Sequence, residues 1–535
     1  MKRLISTIAL ACAVLLAMSC EKEKSGIESI SWKETAGVPV WKGEKTHAQA
    51  MICSDTDVDN VTLELCGPEC VSANFVSYVT GDVLGDSYGQ CGARKPGQWD
   101  SIRVADRIGP ESAVSLKAGV PQPVWVSIHP DAATKAGKYK AVLKVKGDGF
   151  KTVRLPLTYE VADRTLPEPH EWGVHIDLWQ NPYAVARWFN VPLWSDEHFE
   201  KMAPVMKILA DAGQKSVTAT IIDRPWNGQT EDPFGSMVVK TRTKDGVWSY
   251  DYSIFDKWVE FMFSLGIDHQ INCYSLIPWK LTFDYIEAET GETKFVEAAP
   301  DTPEYKDYWA SFIKDFASHL REKGWFEKTM IAMDERPLES MVSAVAVIKE
   351  AEPGMKISMA GLFHEEISDQ LDYFSIPAEQ FFPDGALEAR RAQGKTSTCY
   401  VSCAQAYPNT FIASNPGEAA WWLWYAAANE YDGVLKWAYN SWTADPVNDA
   451  RFRSWPAGDC FLVYPDGSSV RMENLIEGAQ DFEKLRILKN EWEQSGNTEK
   501  LDSLDKVLDM FILPYLKENG PGPALSKGRN LINTN

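Results

Sequence analysis

From residue 172 onward the chain alternates short apolar strands with helical segments, and this alternation restricts the fold more than any other feature. Eight strands are predicted, most of them separated by stretches with helical periodicity. They cover residues 172–178, 215–222, 269–276, 329–333, 356–362, 371–376, 397–402 and 434–439. Eight strand–helix units are typical of a (β/α)8 barrel. A doubly wound sheet fits less well, because no glycine-rich phosphate-binding turn follows the first strand.

Capping residues mark several helix boundaries in this part of the chain. Ser195 is a predicted N-cap, because apolar residues recur at helical spacing after it until Gly213. Ser253 and Asp256 are predicted to form a capping box. Thr302, followed by a proline and an acid, predicts the start of a further helix.

The predicted barrel occupies residues 171–445 and is flanked by other regions. Before it, short Val-, Thr- and Tyr-rich segments separated by Gly, Pro and Asp turns predict an N-terminal β-sandwich over residues 27–162. Two prolines predict a linker at residues 163–170. Residues 446–535 are predicted to form a C-terminal extension that is mainly helical.

The first residues have the pattern of a targeting signal. Lys2 and Arg3 precede an apolar stretch at residues 4–16, which is too short to span a bilayer. Small residues then lead to Cys20, which resembles a bacterial lipoprotein signal. We therefore predict a signal peptide at 1–19, lipidation at Cys20 and a tether at 20–26. The protein is expected to be exported and lipid-anchored to the outer membrane, on its periplasmic face or at the cell surface. An ordinary secretory signal is the alternative.

Composition excludes several classes of protein. Hydrophobic residues make up 44% and charged residues 24%, the balance of a globular protein, so disorder and a polytopic membrane protein are disfavoured. The 54 basic and 75 acidic residues give a net charge of −21, which repels phosphate backbones. We therefore expect no nucleic-acid partner. The 21 tryptophans are either part of a large core or flat apolar platforms for sugar rings.

Cysteine and histidine usage argues against a metal site. No C-x-x-C sequence occurs, and the eight histidines are scattered without the spacing of metal ligands. We expect neither a metal nor a cofactor. In an exported chain, disulfides are allowed among Cys53, Cys66, Cys70 and Cys91, but the sequence leaves their pairing open.

Two adjacent acids follow the fourth predicted strand directly. In a (β/α)8 barrel, reactive residues lie where the strands end, at one face of the barrel. Asp334 and Glu335 occupy such a strand end. Pro337 disfavours helix at the residue before it, so the chain can leave regular pairing and present both acids to a pocket. Acid pairs are also common on surfaces and at helix starts, which is the structural alternative.

Other strand ends add aromatic and hydrogen-bonding side chains around the same predicted mouth. A pocket with paired carboxylates, tyrosine and asparagine donors and stacking tryptophans suits a neutral, hydroxyl-rich ligand. The alternative is that the tryptophans, Trp279 among them, are core or interface aromatics. The predicted substrate-binding residues are Asp177, Trp179, Tyr274, Trp437, Tyr439, Asn440 and Trp442.

These strand ends and a set of downstream motifs resemble glycoside hydrolase family 123. The resemblance covers roughly residues 172–484, and the β-domain more loosely. Known members are exo-acting β-N-acetylgalactosaminidases with a β-sandwich followed by a (β/α)8 barrel. The motifs that carry it are Asp334-Glu335-Arg336-Pro337, Asp177-Leu178-Trp179-Gln180-Asn181, Trp437-Ala438-Tyr439-Asn440-Ser441-Trp442, Gly458-Asp459, Leu462-Val463-Tyr464-Pro465, and Arg471-Met472-Glu473-Asn474-Leu475-Ile476-Glu477-Gly478 followed by Asp481-Phe482-Glu483.

The resemblance implies roles for the two acids. Glu335 matches the general acid/base of the family, and Asp334 matches the residue that orients the substrate's 2-acetamido group for attack on the anomeric carbon. This is retaining, substrate-assisted hydrolysis through an oxazolinium intermediate. Arg336 is expected to pair with Asp334 and lower its pKa. Lys436 replaces an arginine that is frequent in the family, and its side chain is expected to point outward.

The remaining site residues are assigned by position. Tyr274 or Tyr439 is expected to donate to the acetamido oxygen, while Asn440 and Asp177 hold sugar hydroxyls. For Asp177 the alternative is a buried acid paired with an arginine. The motif around Arg471 is expected to tie the C-terminal helices to the barrel.

The resemblance therefore implies a glycosidase that removes a terminal β-linked N-acetylhexosamine, with N-acetylgalactosamine as the leading candidate. Its expected partners are a glycan or glycoconjugate substrate, the membrane through the lipid anchor alone, and neighbours in a glycan-degrading system. The alternatives are a glycosidase of another sugar and a carbohydrate-binding surface lipoprotein without turnover. The intact acid pair argues against the binder, because a binder needs no proton donor.

Overall fold

The computed structural model describes residues 27–34, 37–83, 91 and 101–534. The predicted signal peptide, Cys20 and the tether lie outside these residues. Two compact units are present: one comprises residues 1–78 and 105–166, and the other residues 79–104 and 167–533, each within the described part of the chain.

The first unit is built from two mixed or antiparallel sheets that share one hydrophobic core. Their orders are β1-β3-β8-β5-β6 and β2-β10-β9-β4-β7. Phe75 and Val124 from one sheet and Leu143 and Tyr159 from the other are buried in the same cluster, so the alternating inner faces of the two sheets pack together. The strands are β1 (Ile27–Glu34), β2 (Val40–Lys42), β3 (Thr46–Ser54), β4 (Val58–Cys66), β5 (Val71–Asp82), β6 (Ser101–Ile108), β7 (Ala113–Leu116), β8 (Gln122–Ile128), β9 (Gly137–Lys146) and β10 (Val153–Thr165).

The second unit contains an eight-stranded parallel sheet in the order β11-β22-β21-β20-β19-β18-β15-β12. All eight strands predicted from the sequence are present, and they form a parallel barrel that is nearly closed. The strands of this unit are β11 (His175–Leu178), β12 (Ser216–Thr220), β13 (Val239–Arg242), β14 (Trp248–Asp251), β15 (Gln270–Tyr274), β16 (Thr282–Glu287), β17 (Thr293–Glu297), β18 (Thr329–Met333), β19 (Lys356–Ala360), β20 (Tyr373–Pro377), β21 (Thr396–Tyr400), β22 (Gly433–Lys436) and β23 (Ser468–Ser469).

Two glutamines close the seam between the first and second strands of the barrel. The backbone ladder between β11 and β12 is reduced to a single bridge, Ile176 to Gln214. The Gln214 side chain accepts from the backbone N of Leu178 at 2.9 Å, and the Gln180 side chain accepts from the backbone N of Thr218 at 2.8 Å. Side-chain amides thus satisfy buried backbone groups where the strands diverge.

Helices cover the outside of the barrel and form the C-terminal extension. None of those within residues 101–534 combines the length and apolar character needed to cross a bilayer. The helices are α1 (Pro182–Phe189), α2 (Asp196–Asp211), α3 (Ser253–Ser264), α4 (Pro303–Lys323), α5 (Leu338–Ala351), α6 (Glu365–Ser368), α7 (Ala386–Ala392), α8 (Gly417–Ala428), α9 (Val470–Ser495), α10 (Thr498–Leu508), α11 (Leu513–Asn519) and α12 (Gly522–Asn533).

The predicted caps differ in outcome. Ser195 caps α2 by accepting from the backbone N of His198 at 3.2 Å, and Thr302 caps α4, as predicted. The predicted Ser253 capping box is wrong. Ser253 is the first helical residue of α3, and its backbone N is bonded instead by the carboxylate of Asp251 at 2.8 Å.

Four strands form a small separate sheet, β14-β13-β16-β17, that the sequence did not predict. Its first two strands lie in the connection after β12, and its last two lie in the connection after β15. Both connections leave the carboxyl end of a barrel strand, so the small sheet belongs to the same end of the barrel as Asp334 and Glu335.

One disulfide, between Cys91 and Cys403, is present in the second unit. Within the described residues Cys53, Cys66 and Cys70 are free. None of the pairings considered among the four clustered cysteines is therefore formed. The partner of Cys91 lies 312 residues away in sequence, which no local spacing indicates.

Candidate functional site

Asp334 and Glu335 follow β18 directly, at the carboxyl end of the fourth barrel strand. One oxygen of Asp334, Oδ2, accepts from Arg336 Nη2 at 2.7 Å and from Trp279 Nε1 at 3.2 Å. The other oxygen, Oδ1, is buried and has no hydrogen-bond partner among the described residues. Two contacts therefore hold the carboxylate in one orientation while one acceptor stays available. The Arg336 guanidinium also lies 5.2 Å from the centre of the Trp279 ring.

The electrostatics of Asp334 combine opposing effects. Burial raises the pKa of Asp334 to about 6, with the neighbouring Glu335 charge adding to the rise and Arg336 opposing it. The predicted pairing of Arg336 with Asp334 is present. Arg336 lowers the pKa as expected, but burial outweighs it.

Glu335 is exposed at the mouth of the barrel, and Tyr400 reaches it from another strand. The Tyr400 hydroxyl donates to Glu335 Oε1. Tyr400 is the last residue of β21 and is almost fully buried. Sequence analysis missed it, although the rule that strand ends carry function points to it as well as to the acids.

An aromatic cluster fills the barrel interior beside the acids. Trp179 stacks on Trp226 with ring centres 5.1 Å apart, and Tyr274 lies 4.5 Å from Trp179 and 5.1 Å from Trp226. The indole nitrogen of Trp226 is buried and has no hydrogen-bond partner in the described part of the chain, whereas Trp179 interacts with the buried carboxylate of Asp177. Trp179 and Tyr274 were predicted. Trp226 was missed because it follows its strand by six residues rather than ending it.

Two family models match the chain, one over the barrel and one over the N-terminal domain. The model described as glycoside hydrolase 123, catalytic domain, matches residues 179–488, and the model of the glycoside hydrolase 123 N-terminal domain matches residues 20–147. The chain belongs to glycoside hydrolase family 123. The resemblance seen in the sequence is thereby confirmed. In this member of the family, the barrel carries the Asp334–Glu335 pair described above.

One solved structure supports the fold. A family 123 glycoside hydrolase from Clostridium perfringens, described in terms of glycolipid glycan hydrolysis, is 23% identical and superposes with a TM-score of 0.81, covering 95% of this chain and 97% of that one. A family 39 glycoside hydrolase from Bacteroides cellulosilyticus is 11% identical, covers 84% of this chain and 82% of that one, and has a TM-score of only 0.33. A comparison with curated proteins found no match to this sequence.

In this family 123 barrel, Asp177 lies in the interior, and its role in holding sugar hydroxyls stays a prediction. Its side chain is fully buried in the barrel interior, and it accepts from Asn272 Nδ2 at 3.1 Å. Burial raises the pKa of Asp177 to about 7, against the lowering effect of Tyr373, Trp179 and Asn272. The alternative prediction was a buried acid paired with an arginine. The acid is buried, but its hydrogen-bond partner is the side-chain amide of Asn272.

Three other predicted ligands are buried away from the mouth. The Tyr439 hydroxyl donates to the backbone O of Val205, and Trp442 Nε1 donates to the backbone O of Val463. Asn440 exchanges two hydrogen bonds with the backbone of Asn181. The predicted strand ran to residue 439, but β22 ends at Lys436, so these side chains turn into the wall of the barrel. All three side chains therefore have partners within the protein, and their assignment as sugar ligands stays a prediction.

Trp437 remains at the mouth, partly buried and packed against the aromatic cluster, with its Nε1 3.3 Å from Asp459 Oδ2. Lys436, whose side chain was expected to point outward, is fully buried and paired with the same Asp459. Arg471 is also buried and donates to three backbone carbonyls, which fits its predicted structural role.

Proposed function

We propose that this family 123 glycoside hydrolase removes a terminal β-linked N-acetylgalactosamine, or a related N-acetylhexosamine, by a retaining, substrate-assisted mechanism. The observation that carries the proposal is the state of Asp334. One carboxylate oxygen is held by Arg336 and Trp279, and the other is buried and unpaired beside Glu335. Leaving a buried acceptor without a hydrogen bond costs free energy, and a ligand that donates to it removes this cost. A substrate amide N–H is the donor that fits a carboxylate at this position.

In the first step the acetamido N–H donates to Asp334 Oδ1. This contact turns the carbonyl oxygen of the same group toward the anomeric carbon, and that oxygen attacks. Glu335 gives its proton to the glycosidic oxygen as the bond to the leaving group breaks. The products of this step are the free leaving group and an oxazolinium ion, so the nucleophile belongs to the sugar and the enzyme forms no covalent bond.

In the second step water attacks the anomeric carbon from the side that the leaving group vacated. Glu335, now a carboxylate, takes a proton from that water, the oxazolinium ring opens, and the β configuration is retained. The Tyr400 hydroxyl holds Oε1 of Glu335 in both steps, which leaves its other oxygen for proton transfer.

The aromatic side chains around Asp334 fit the sugar that this chemistry requires. Trp279 donates to Asp334 and is 45% exposed, so its ring offers apolar surface that suits the carbon face of a pyranose, while Trp179, Trp226 and Tyr274 form a buried cluster in the barrel interior. The similar protein from Clostridium perfringens is described as acting on glycolipid glycans, which supports a glycoconjugate as the substrate class.

The test is hydrolysis of chromogenic β-N-acetylgalactosaminide and β-N-acetylglucosaminide by the wild type, Glu335→Gln and Asp334→Asn. We expect release from the galacto substrate and loss of at least about 10²-fold in kcat in each variant. Undiminished activity of Glu335→Gln would contradict the assignment of Glu335 as the general acid and base. Activity on a β-glycoside without an acetamido group would favour a glycosidase of another sugar. Glycan binding without any turnover would move the protein to the binding class.

We also propose that Cys20 is lipidated after export and anchors the protein to the outer membrane. The support is the sequence pattern of the first residues alone. Expression of the full chain with labelled palmitate tests it: label and membrane fractionation are expected for the wild type and are lost in Cys20→Ala. Label-free protein in the soluble fraction of the wild type would indicate an ordinary secretory signal.

A further inference from the structure

A cavity whose lining includes neither Asp334 nor Glu335 lies between the small four-stranded sheet and the start of α4. It has a volume of about 300 Å³, which is at the low end for ligand pockets and gives room for a single sugar ring. Its lining includes Arg242, Trp248, Val296, Pro303, Asp307 and Tyr308.

The cavity contains hydrogen-bond donors that nothing in the described residues satisfies. Arg242 Nε and Trp248 Nε1 are buried and have no hydrogen-bond partner there. The Arg242 guanidinium lies 5.0 Å from the centre of the Trp248 ring and 3.1 Å from Asp307 Oδ2 through Nη2. The guanidinium is thereby held in place along one wall of the cavity.

The same cavity offers acceptors and an apolar wall. Asp307 and Glu304 bring two carboxylates, while Val296 and Pro303 contribute carbon surface. The Tyr308 ring is buried and packs edge-on against Trp248, with ring centres 5.2 Å apart. The site thus combines donors, acceptors and an apolar face within the span of one small molecule.

These groups select the charge of the ligand. Two carboxylates against one guanidinium leave the lining net negative, which disfavours an anion such as a uronic acid or a sulfated sugar. The unpaired donors of Arg242 and Trp248 disfavour a bare cation. A neutral pyranose meets both conditions, because each hydroxyl accepts from one group and donates to another.

The cavity is connected to the carboxyl end of the barrel. The Tyr308 hydroxyl donates to the backbone O of Asp284 at 2.6 Å, and the Asp284 carboxylate lies 3.3 Å from the backbone N of Asp223, just after β12. The connections that carry it leave β12 and β15, two strands whose ends also frame the aromatic cluster.

We propose that this cavity is a second glycan-binding site that holds one neutral sugar ring, separate from the ring cleaved at Asp334 and Glu335. It requires only that the chain meets glycans, as a family 123 member does, and not that the cleaved sugar is N-acetylgalactosamine. In this role the cavity keeps a glycan chain bound near the barrel mouth between successive cleavage events at Asp334 and Glu335.

The experiment is calorimetric titration of the full chain carrying Glu335→Gln, with methyl β-glycosides of galactose, glucose, N-acetylgalactosamine and glucuronic acid as probes. In this background, Val296→Trp fills the cavity. Phe295→Trp is its matched control, because Phe295 is the adjacent residue, does not line the cavity and is 60% exposed. Asp307→Ala removes an acceptor from an exposed position, so it acts without threatening the fold.

We expect at least one probe to bind, with one site lost in Val296→Trp, a drop of about tenfold in affinity in Asp307→Ala, and no change in Phe295→Trp. Equal binding in all four proteins, or no binding of any neutral probe, would overturn the proposal. Preference for methyl β-glucuronide would overturn the ligand class. Silence in the chromogenic assay with cavity binding intact would count against the proposed hydrolysis alone.

Discussion

The Tyr400 hydroxyl donates a hydrogen bond to Oε1 of Glu335, although the two residues are 65 positions apart in sequence and lie at the ends of different strands. Glu335 comes after β18 and Tyr400 ends β21, so the contact joins strand ends three places apart in the barrel. The tyrosine is buried and the glutamate exposed, which gives an otherwise mobile surface acid one fixed oxygen.

Removing this hydroxyl is expected to slow the chemical step without loosening substrate binding. Tyr400→Phe keeps the buried ring but leaves Glu335 free to rotate, so we predict a fall in kcat of about tenfold with KM nearly unchanged. Steady-state kinetics on the chromogenic substrate measures it. Tyr431→Phe is the control, because it removes a tyrosine hydroxyl that donates to a backbone carbonyl and not to Glu335. A kcat within twofold of the wild type would contradict the positioning role.

The pH profile of kcat/KM should report on Asp334. The proposed mechanism needs Asp334 ionised, and its pKa of about 6 places the acid limb near pH 6. Because Arg336 lowers this pKa, Arg336→Gln is predicted to move the limb to higher pH by about one unit. Arg336→Lys keeps the charge and should move it less. An acid limb at the same pH in all three proteins would rule out control by this pair.

Asp177 is predicted to make stability depend on pH. The folded state raises its pKa to about 7 from an ordinary value of 3.8, so its favourable contribution is complete below pH 3.8 and is lost as the pH rises through 7. Asp177→Asn should therefore raise Tm more at pH 8 than at pH 5, by several degrees. Differential scanning fluorimetry measures this, with the exposed Asp245→Asn as control. An equal change at both pH values would contradict ionisation of Asp177.

The Cys91–Cys403 disulfide is predicted to stabilise the second unit. A cross-link between residues 312 positions apart restricts the unfolded chain, and bridges of this kind typically contribute about 2–4 kcal/mol. A reductant should lower the Tm of the wild type by several degrees and leave the Cys91→Ser/Cys403→Ser double variant unchanged. If the reductant lowers both equally, the effect belongs to something other than this bridge.

Local patterns determined a large part of this protein. The eight barrel strands, the caps at Ser195 and Thr302, and the position of Asp334 and Glu335 after β18 all follow from the sequence. Each depends on residues a few positions apart, because strand periodicity and helix capping are short-range effects. The family follows too, since its motifs are short ordered segments.

The tertiary structure decided which of these residues share a space. It brought Tyr400 to Glu335 and Trp279 to Asp334, paired Cys91 with Cys403, and ended β22 at Lys436. After that boundary Tyr439, Asn440 and Trp442 are buried and hydrogen-bonded within the protein. These outcomes depend on packing between segments distant in sequence and on strand ends placed to within a residue, because a side chain's direction alternates at every step along a strand.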